Sequence, residues 1–408
     1  MRIGIFTDTY PPYINGVSTS IVMLQNALEK KGHEVFIVTV NADKYKFENE
    51  DKIIRIPGIP IGIFDYRLTG VYPLRAIEKI RKWHLDVIHS QTEFGVGTFA
   101  RIIAKQFNIP IVHTYHTMYE DYVHYITKGY FDGASKKIVE YLTKFYCDKT
   151  VSELIVPTKK TYDLFSEKYH VDRNVHIIPT GIEVERFYKE QFTSQELLEI
   201  KKGLGFEEQE KIMLFVGRMG KEKSVDFLLE CQMDILKKYP NVKFLLVGDG
   251  PELEYLESFA SKNKLQNDVL FIGKVPWDMI SKYYAIADLF VTASTTETQG
   301  LTVIEAMAAS IPVIAINDES FNQVVVDGLN GKIFNNKKEY KKVVLELLEN
   351  EEKRKKLSKQ ARISAEKYSA KYFAEQVLDV YRIAIGNSGS NKNFFDKMKN
   401  VVKKGFHE

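Results

Sequence analysis

Short runs of β-branched and apolar residues alternate with longer stretches carrying apolar residues at helical spacing, and the series starts over midway along the chain. In the first half, residues 3–6, 34–40, 86–89, 109–113 and 154–157 read as strands, with helical patterns over 16–31, 73–83, 97–107 and 159–168. After Gly181 the strands are 213–216, 242–247, 269–272, 289–291 and 312–315, with helices at about 222–238, 251–263, 276–286 and 301–309. Such alternation describes a parallel sheet covered on both faces. The fold class is therefore α/β, with two doubly wound domains, and 408 residues are enough for two cores.

The expected organisation is a first domain over 1–180, a charge-rich linker region over 181–209 and a second domain over 210–370. A C-terminal helix over 371–387 is placed to return to the first domain, and a basic amphipathic tail covers 388–408. Ligands of such sheets bind beyond the carboxyl ends of the strands, which makes a cleft between the two halves the default active site.

Hydrophobic content of 44% with 27% charged residues is that of a soluble globular protein. Cys147 and Cys231 fall in different halves, so a disulfide framework is not expected and a reducing cytoplasm is the simpler compartment. No secretory leader is read before the first strand, and no apolar run is long enough to cross a bilayer, so membrane contact is expected to be peripheral. Nucleic acid is not an expected partner. The net charge is only +3, and the segment from Ser388 to Glu408, with five lysines against Asp396 and Glu408, carries as much by itself.

Four loops carry candidate chemistry. Thr296-Glu297-Thr298-Gln299-Gly300-Leu301-Thr302-Val303-Ile304-Glu305 sets two carboxylates eight residues apart across a loop that turns into a helix. The helix start is an anion site, whereas the glutamates suit hydroxyls, and the combination suggests a sugar nucleotide. A solvated loop residue and an ordinary helix-surface residue are the plain alternative. Gly217-Arg218-Met219-Gly220-Lys221-Glu222-Lys223 places cations after a strand, as stabilisation of a leaving diphosphate requires. Asn15-Gly16 opens the first helix, where a missing side chain would admit a phosphate, or where a simple turn suffices. His113-Thr114-Tyr115-His116 follows another strand and offers imidazole to sugar hydroxyls or to an acceptor. No HExxH or CxxC spacing supports a metal site, so none is expected.

Taken together these residues resemble the GT-B glycosyltransferases, specifically the retaining enzymes of family 4. Glu297 and Glu305 are similar to that family's EX7E motif, Arg218 and Lys223 to its arginine–lysine pair, and Gly16 to its N-terminal glycine. Leu246-Val247-Gly248-Asp249-Gly250-Pro251 and Ile178-Pro179-Thr180-Gly181-Ile182 also match, and the resemblance covers about residues 1–385. It implies two Rossmann-like domains, the first binding acceptor and the second binding nucleotide-sugar. It also implies that Arg218 and Lys223 contact the donor diphosphate and that Glu305 holds the ribose hydroxyls. The backbone of Gly300, Leu301 and Thr302 would meet the phosphates, Glu297 and Gln299 the donor sugar, and Val275 the base. His116 would be the active-site histidine. Two departures stand out: Ser224 replaces the glycine that usually follows the lysine, and Gln299 replaces a common phenylalanine.

Thr7-Asp8-Thr9-Tyr10, Thr114-Tyr115-His116-Thr117-Met118-Tyr119-Glu120-Asp121-Tyr122 and the Glu-Thr-Gln-Gly run look most like the bacterial diacylglycerol glucosyltransferase branch. That resemblance implies UDP-glucose as donor, diacylglycerol as acceptor and work at the cytoplasmic membrane face. No cofactor is required by it, Mg²⁺ stimulation stays open, and oligomeric state is not read. Phe394, Phe395, Met398, Val401 and Val402, with Lys399 and Lys403 among them, form one helical face suited to an anionic membrane interface. A second stripe, Ile138, Tyr141, Leu142, Phe145 and Tyr146, is expected to pack into the core instead. The alternatives are a soluble or polysaccharide acceptor, or a sugar-nucleotide epimerase on the same fold.

Overall fold

The computed structural model describes all residues except 14, 42–50, 61–66, 70–73, 94, 117–139, 296, 298, 323 and 405–408. For 59–60, 67–69 and 389–404 it describes the backbone alone. The chain divides into two units, Met1–Gly181 with Ala370–Glu408, and Ile182–Ser369.

In the first unit, β1 (Arg2–Phe6), β2 (Glu34–Val40), β3 (Ile53–Ile56), β6 (Val87–Ser90), β7 (Ile111–Thr114), β8 (Glu153–Val156) and β9 (Val175–Ile177) form one sheet in the order β3-β2-β1-β6-β7-β8-β9. Every pairing is parallel. A small antiparallel pair, β4 (Gly58–Pro60) and β5 (Arg67–Thr69), stands apart. Strand order reverses between β1 and β6, which puts the loops after those two strands at the switch point where such sheets bind ligands. One face is covered by the helix Gly16–Lys30 and the C-terminal helix Ala370–Lys404, whose Phe373, Ala374, Val377, Leu378 and Tyr381 join Ile3, Ile5 and Leu24 in a single apolar cluster. On the other face lie the helices Leu74–Trp83 and Val96–Phe107.

The second unit has β10 (Lys211–Val216), β11 (Val242–Val247), β12 (Val269–Gly273), β13 (Leu289–Thr292), β14 (Val313–Ile316) and β15 (Gly331–Phe334), ordered β12-β11-β10-β13-β14-β15 and parallel throughout. This is the doubly wound order, with its switch point between β10 and β13. Two apolar clusters, one on each face, explain why these strands read as nearly unbroken apolar runs.

Three expectations differ from the structure. The charge-rich segment 181–209 is folded: it carries the 3₁₀ turn Val184–Phe187 and the capped helix Ser194–Gly203, and Val184 and Phe187 are buried in the second unit's core. Its charges lie on the outer faces of short elements, which from sequence looks like a linker. The tail over 388–408 is not separate from the helix expected over 371–387, because one helix runs from Ala370 to Lys404 through Gly386 and Gly389. A glycine inside a helix costs about 1 kcal/mol, which the well-packed turns before it offset. Of the stripe expected in the core, Tyr141 and Phe145 are instead 69% and 44% exposed, while Ile138 lies outside the described residues.

Candidate active site

In the second unit the loops after β10 and β13 meet. The first holds Gly217 and Arg218 and a 3₁₀ turn, Lys221–Lys223. It is fastened to the end of β11 and the loop after it by backbone bonds, Gly217 N–H to the Val247 carbonyl at 3.0 Å and Met219 N–H to the Asp249 carbonyl at 2.9 Å. The approach is so close that a Cβ on Gly248 (φ +141°) would lie 1.8 Å from the Gly217 carbonyl oxygen. That contact gives the Val-Gly-Asp-Gly sequence its physical reason. Ser224 sits in the left-handed region at φ +48°, so the glycine it replaces would be the less strained residue there.

Lys223 Nζ is ion-paired with Glu297 and lies 3.4 Å from the Ser294 hydroxyl. Glu297 is held from its other end by Ser320, whose hydroxyl donates to the Glu297 carbonyl. Arg218 is more open, with Nη1 3.9 Å from Glu222 Oε1. Gly300 caps the helix Leu301–Ala308 at φ +70°, and a Cβ there would meet the Phe321 ring at 2.5 Å. One turn on, Glu305 accepts a 2.6 Å hydrogen bond from the Tyr284 hydroxyl. Burial pushes the Glu305 carboxyl up to about 7, and the Tyr284 bond opposes that rise. Gln299 is buried, Leu301 and Thr302 are half-buried at the helix start, and Val275, after β12, packs on the apolar cluster of that face.

In the first unit Gly16 is the first residue of its helix, capped by the Asn15 side chain on Ser18 N–H, and a Cβ at Gly16 would meet nothing within 4 Å. His116 follows β7, with Nε2 2.5 Å from Gln91 Oε1. Burial is the main cause holding its imidazole down at about 4, so the ring is neutral at physiological pH. His113, inside β7, is a structural neighbour: its Nδ1 faces the Ser90 carbonyl at 2.9 Å and its Nε2 faces Glu93 Oε1 at 3.1 Å.

Of the residues around these, Gln91, His89, Glu93 and Tyr381 were not singled out from sequence. Asp8 is buried at the switch point, accepting from the Thr92 hydroxyl at 2.5 Å and from Val96 N–H at 2.9 Å, and burial raises its carboxyl to about 7. Gln91, His89 and Tyr381 extend the contacts of His116 inward. Glu93, His113 and Cys147, all buried, bring ligand-type atoms within 4.8 Å of one another. They come from three separate elements and so leave no spacing signature. His113 Nε2 and Glu93 Oε1 are in direct contact at 3.1 Å, and burial pushes the Cys147 thiol well above its ordinary value.

Residues 198–364 match the family model described as Glycosyl transferases group 1, and residues 14–186 match Glycosyltransferase Family 4. Alpha-monoglucosyldiacylglycerol synthase of Acholeplasma laidlawii is 40% identical over 399 residues, spanning 96% of this chain and 100% of that protein. The chain belongs to glycosyltransferase family 4. A second relative, alpha-monoglucosyldiacylglycerol synthase of Streptococcus pneumoniae, is also 40% identical, over 85% of this chain and 78% of its own. Among solved structures, Alr3699/HepE of Anabaena in complex with UDP superposes with a TM-score of 0.72 at 15% identity, covering 93% of this chain and 99% of that one. The architecture of this glycosyltransferase is thus GT-B, two Rossmann-like parallel-sheet domains. Within the second unit Lys223 and Glu297 are brought into contact, and Glu305 follows one turn after Gly300. Gly16 and His116 belong to the first unit. The side chains of Phe394, Phe395, Met398, Lys399 and Lys403 lie outside the described residues.

Proposed function

We propose that this glycosyltransferase moves glucose from UDP-glucose to 1,2-diacylglycerol with retention at the anomeric carbon, forming monoglucosyldiacylglycerol. The observation that carries the reading is 40% identity, over almost the whole of both chains, to a protein named for making that product. In this reading the second unit takes the donor. Arg218 and Lys223 meet the diphosphate together with the backbone N–H groups of Gly300, Leu301 and Thr302 at the helix start. Glu305 accepts from the ribose, Glu297 and Gln299 from the glucose hydroxyls, and the Val275 backbone pairs with the base. From the first unit, Gly16 admits the diphosphate and His116 meets the reacting sugar. Retention follows a front-face route in which the leaving phosphate helps take the acceptor proton, so no protein nucleophile and no flanking carboxylate pair are needed.

A lipid acceptor asks for work at a membrane surface, and we place the enzyme peripherally on the inner face of the cell membrane. Among the described residues no helix is long and apolar enough to cross a membrane. Support comes from the lysine-rich end of the C-terminal helix and from exposed Tyr141 and Phe145.

The decisive assay supplies UDP-glucose, UDP-galactose and UDP-N-acetylglucosamine to diacylglycerol in mixed micelles and identifies product by mass. Glucosyldiacylglycerol, with UDP released only when acceptor is present, is the expected result. UDP release with soluble glycans alone would overturn the lipid acceptor, and conversion of one UDP-sugar to another would overturn transfer. His116→Ala should lose turnover while still binding UDP.

A further inference from the structure

A chain of side chains runs inward from His116 to the C-terminal helix. His116 Nε2 lies 2.5 Å from Gln91 Oε1, and the Gln91 amide nitrogen lies 3.2 Å from both ring nitrogens of His89. His89 is held at both edges, with Nδ1 2.7 Å from the Tyr381 hydroxyl and Nε2 2.7 Å from the Thr114 hydroxyl. Gln91, His89, Thr114 and Tyr381 are buried.

The orientation of the Gln91 amide follows from this arrangement. Its nitrogen is equidistant from two ring nitrogens whose in-plane positions are already taken by hydroxyls, so the ring face is what remains for it. An amide N–H is attracted to the electron-rich face of a ring, while a carbonyl oxygen would be repelled. The oxygen is thereby turned toward His116, and a carbonyl oxygen only accepts. The short contact therefore requires a hydrogen on His116 Nε2.

We propose that Gln91 is a positioning residue that locks His116 in the Nε2–H tautomer, so that the bare Nδ1 is the atom offered to substrate. His116 then accepts a hydrogen bond from a sugar or acceptor hydroxyl instead of donating one. Tyr381 and Thr114 act one step further back by fixing the His89 ring on which the amide rests. Burial agrees with this role, since it keeps the His116 ring neutral, and a neutral ring needs its single proton placed. The inference rests on the placing of His116 at the reacting sugar given above.

The test uses the full-length protein labelled with ¹⁵N-histidine, with the His116 signals identified by their loss in His116→Asn. Long-range ¹H–¹⁵N spectra at pH 7 should show His116 protonated at Nε2 alone. Gln91→Leu should mix the two tautomers and lower kcat on the order of tenfold or more, as misplaced imidazole protons do, with KM for UDP-glucose little changed. Gln91→Glu keeps an acceptor on Nε2–H and adds a charge that favours the imidazolium, so the acid limb of the kcat–pH profile should move upward by about one unit or more. If Gln91→Leu does not fold, the isosteric Gln91→Glu carries the test. An Nδ1–H signal in the parent protein, or an unmoved acid limb in Gln91→Glu, overturns the proposal. Normal turnover in His116→Asn would instead overturn the placing of His116, a failure the spectra tell apart because they read the tautomer without turnover.

Discussion

Lys223 and Glu297 neutralise one another across 74 residues of sequence, the ammonium of one loop seated on the carboxylate of the next. In the proposed donor site these two groups have different clients, phosphate for the lysine and sugar hydroxyls for the glutamate, so donor binding must part them. Glu297→Gln releases Lys223 from its partner: UDP affinity should hold or rise while turnover of UDP-glucose falls. Lys223→Ala should lose UDP affinity by about 2 kcal/mol, roughly 30-fold, the scale of a charge-assisted hydrogen bond. Calorimetry with UDP beside steady-state kinetics checks both, and weaker UDP binding in Glu297→Gln would show that the carboxylate orients the lysine instead of competing for it.

Gly16 separates folding from function. A methyl group there meets nothing within 4 Å, and alanine is the better helix former. Gly16→Ala should leave the melting temperature unchanged or raised and cut turnover about tenfold or more by obstructing the diphosphate. Full activity in that variant would remove Gly16 from the donor site.

Donor binding should depend on pH through Glu305. Its carboxyl, raised from 4.5 to about 7, is mostly protonated below that value and then cannot accept from both ribose hydroxyls. UDP affinity should therefore strengthen as pH rises from 6 to 8. Because the Tyr284 hydroxyl lowers the Glu305 value, Tyr284→Phe should shift the inflection upward. The stability effect has the opposite sign. Between pH 4.5 and 7 the folded state keeps a proton the unfolded chain has released, so this group's contribution falls as pH rises across that window. A pH-independent UDP affinity would exclude Glu305 from the ribose.

Gly300 and Gly248 should fail differently when given a side chain. Gly300→Ala incurs left-handed strain and a contact with the Phe321 ring, together about 1–3 kcal/mol by urea unfolding. Adding Phe321→Leu should relieve the contact but not the strain. Gly248→Ala meets the backbone carbonyl of Gly217, which cannot step aside, and should be the more destabilising change. Equal losses at the two sites would contradict this distinction.

The sheets were legible because their central strands are buried on both faces and so read as apolar runs; β11 lies where the pattern placed it, over Val242–Val247. What escaped were the sheet-edge strands β3, β9 and β15, which are only partly buried, so polar residues interrupt their apolar runs. Glu297, Glu305, Arg218 and Lys223 were legible because each stands in a loop following a strand or in the helix such a loop opens. His89 and Tyr381 were not, since a hydrogen bond between residues 292 apart leaves no trace in local spacing. The boundary expected at 387 falls between Gly386 and Gly389, where composition marks a helix as weak, while the packed turns before it decide that it continues.

The C-terminal helix has a consequence for how the molecule is made. Phe373, Ala374, Val377, Leu378 and Tyr381 complete an apolar cluster whose other members include residues 3–28, yet translation must first produce the whole of the second unit. The nascent first unit leaves the ribosome with one helix-shaped face of its sheet bare and His89 lacking its phenol partner. The second unit, continuous in sequence from Ile182 to Ser369, has no such debt and can fold as it emerges. The earliest-synthesised half of this enzyme is thus the last to be finished.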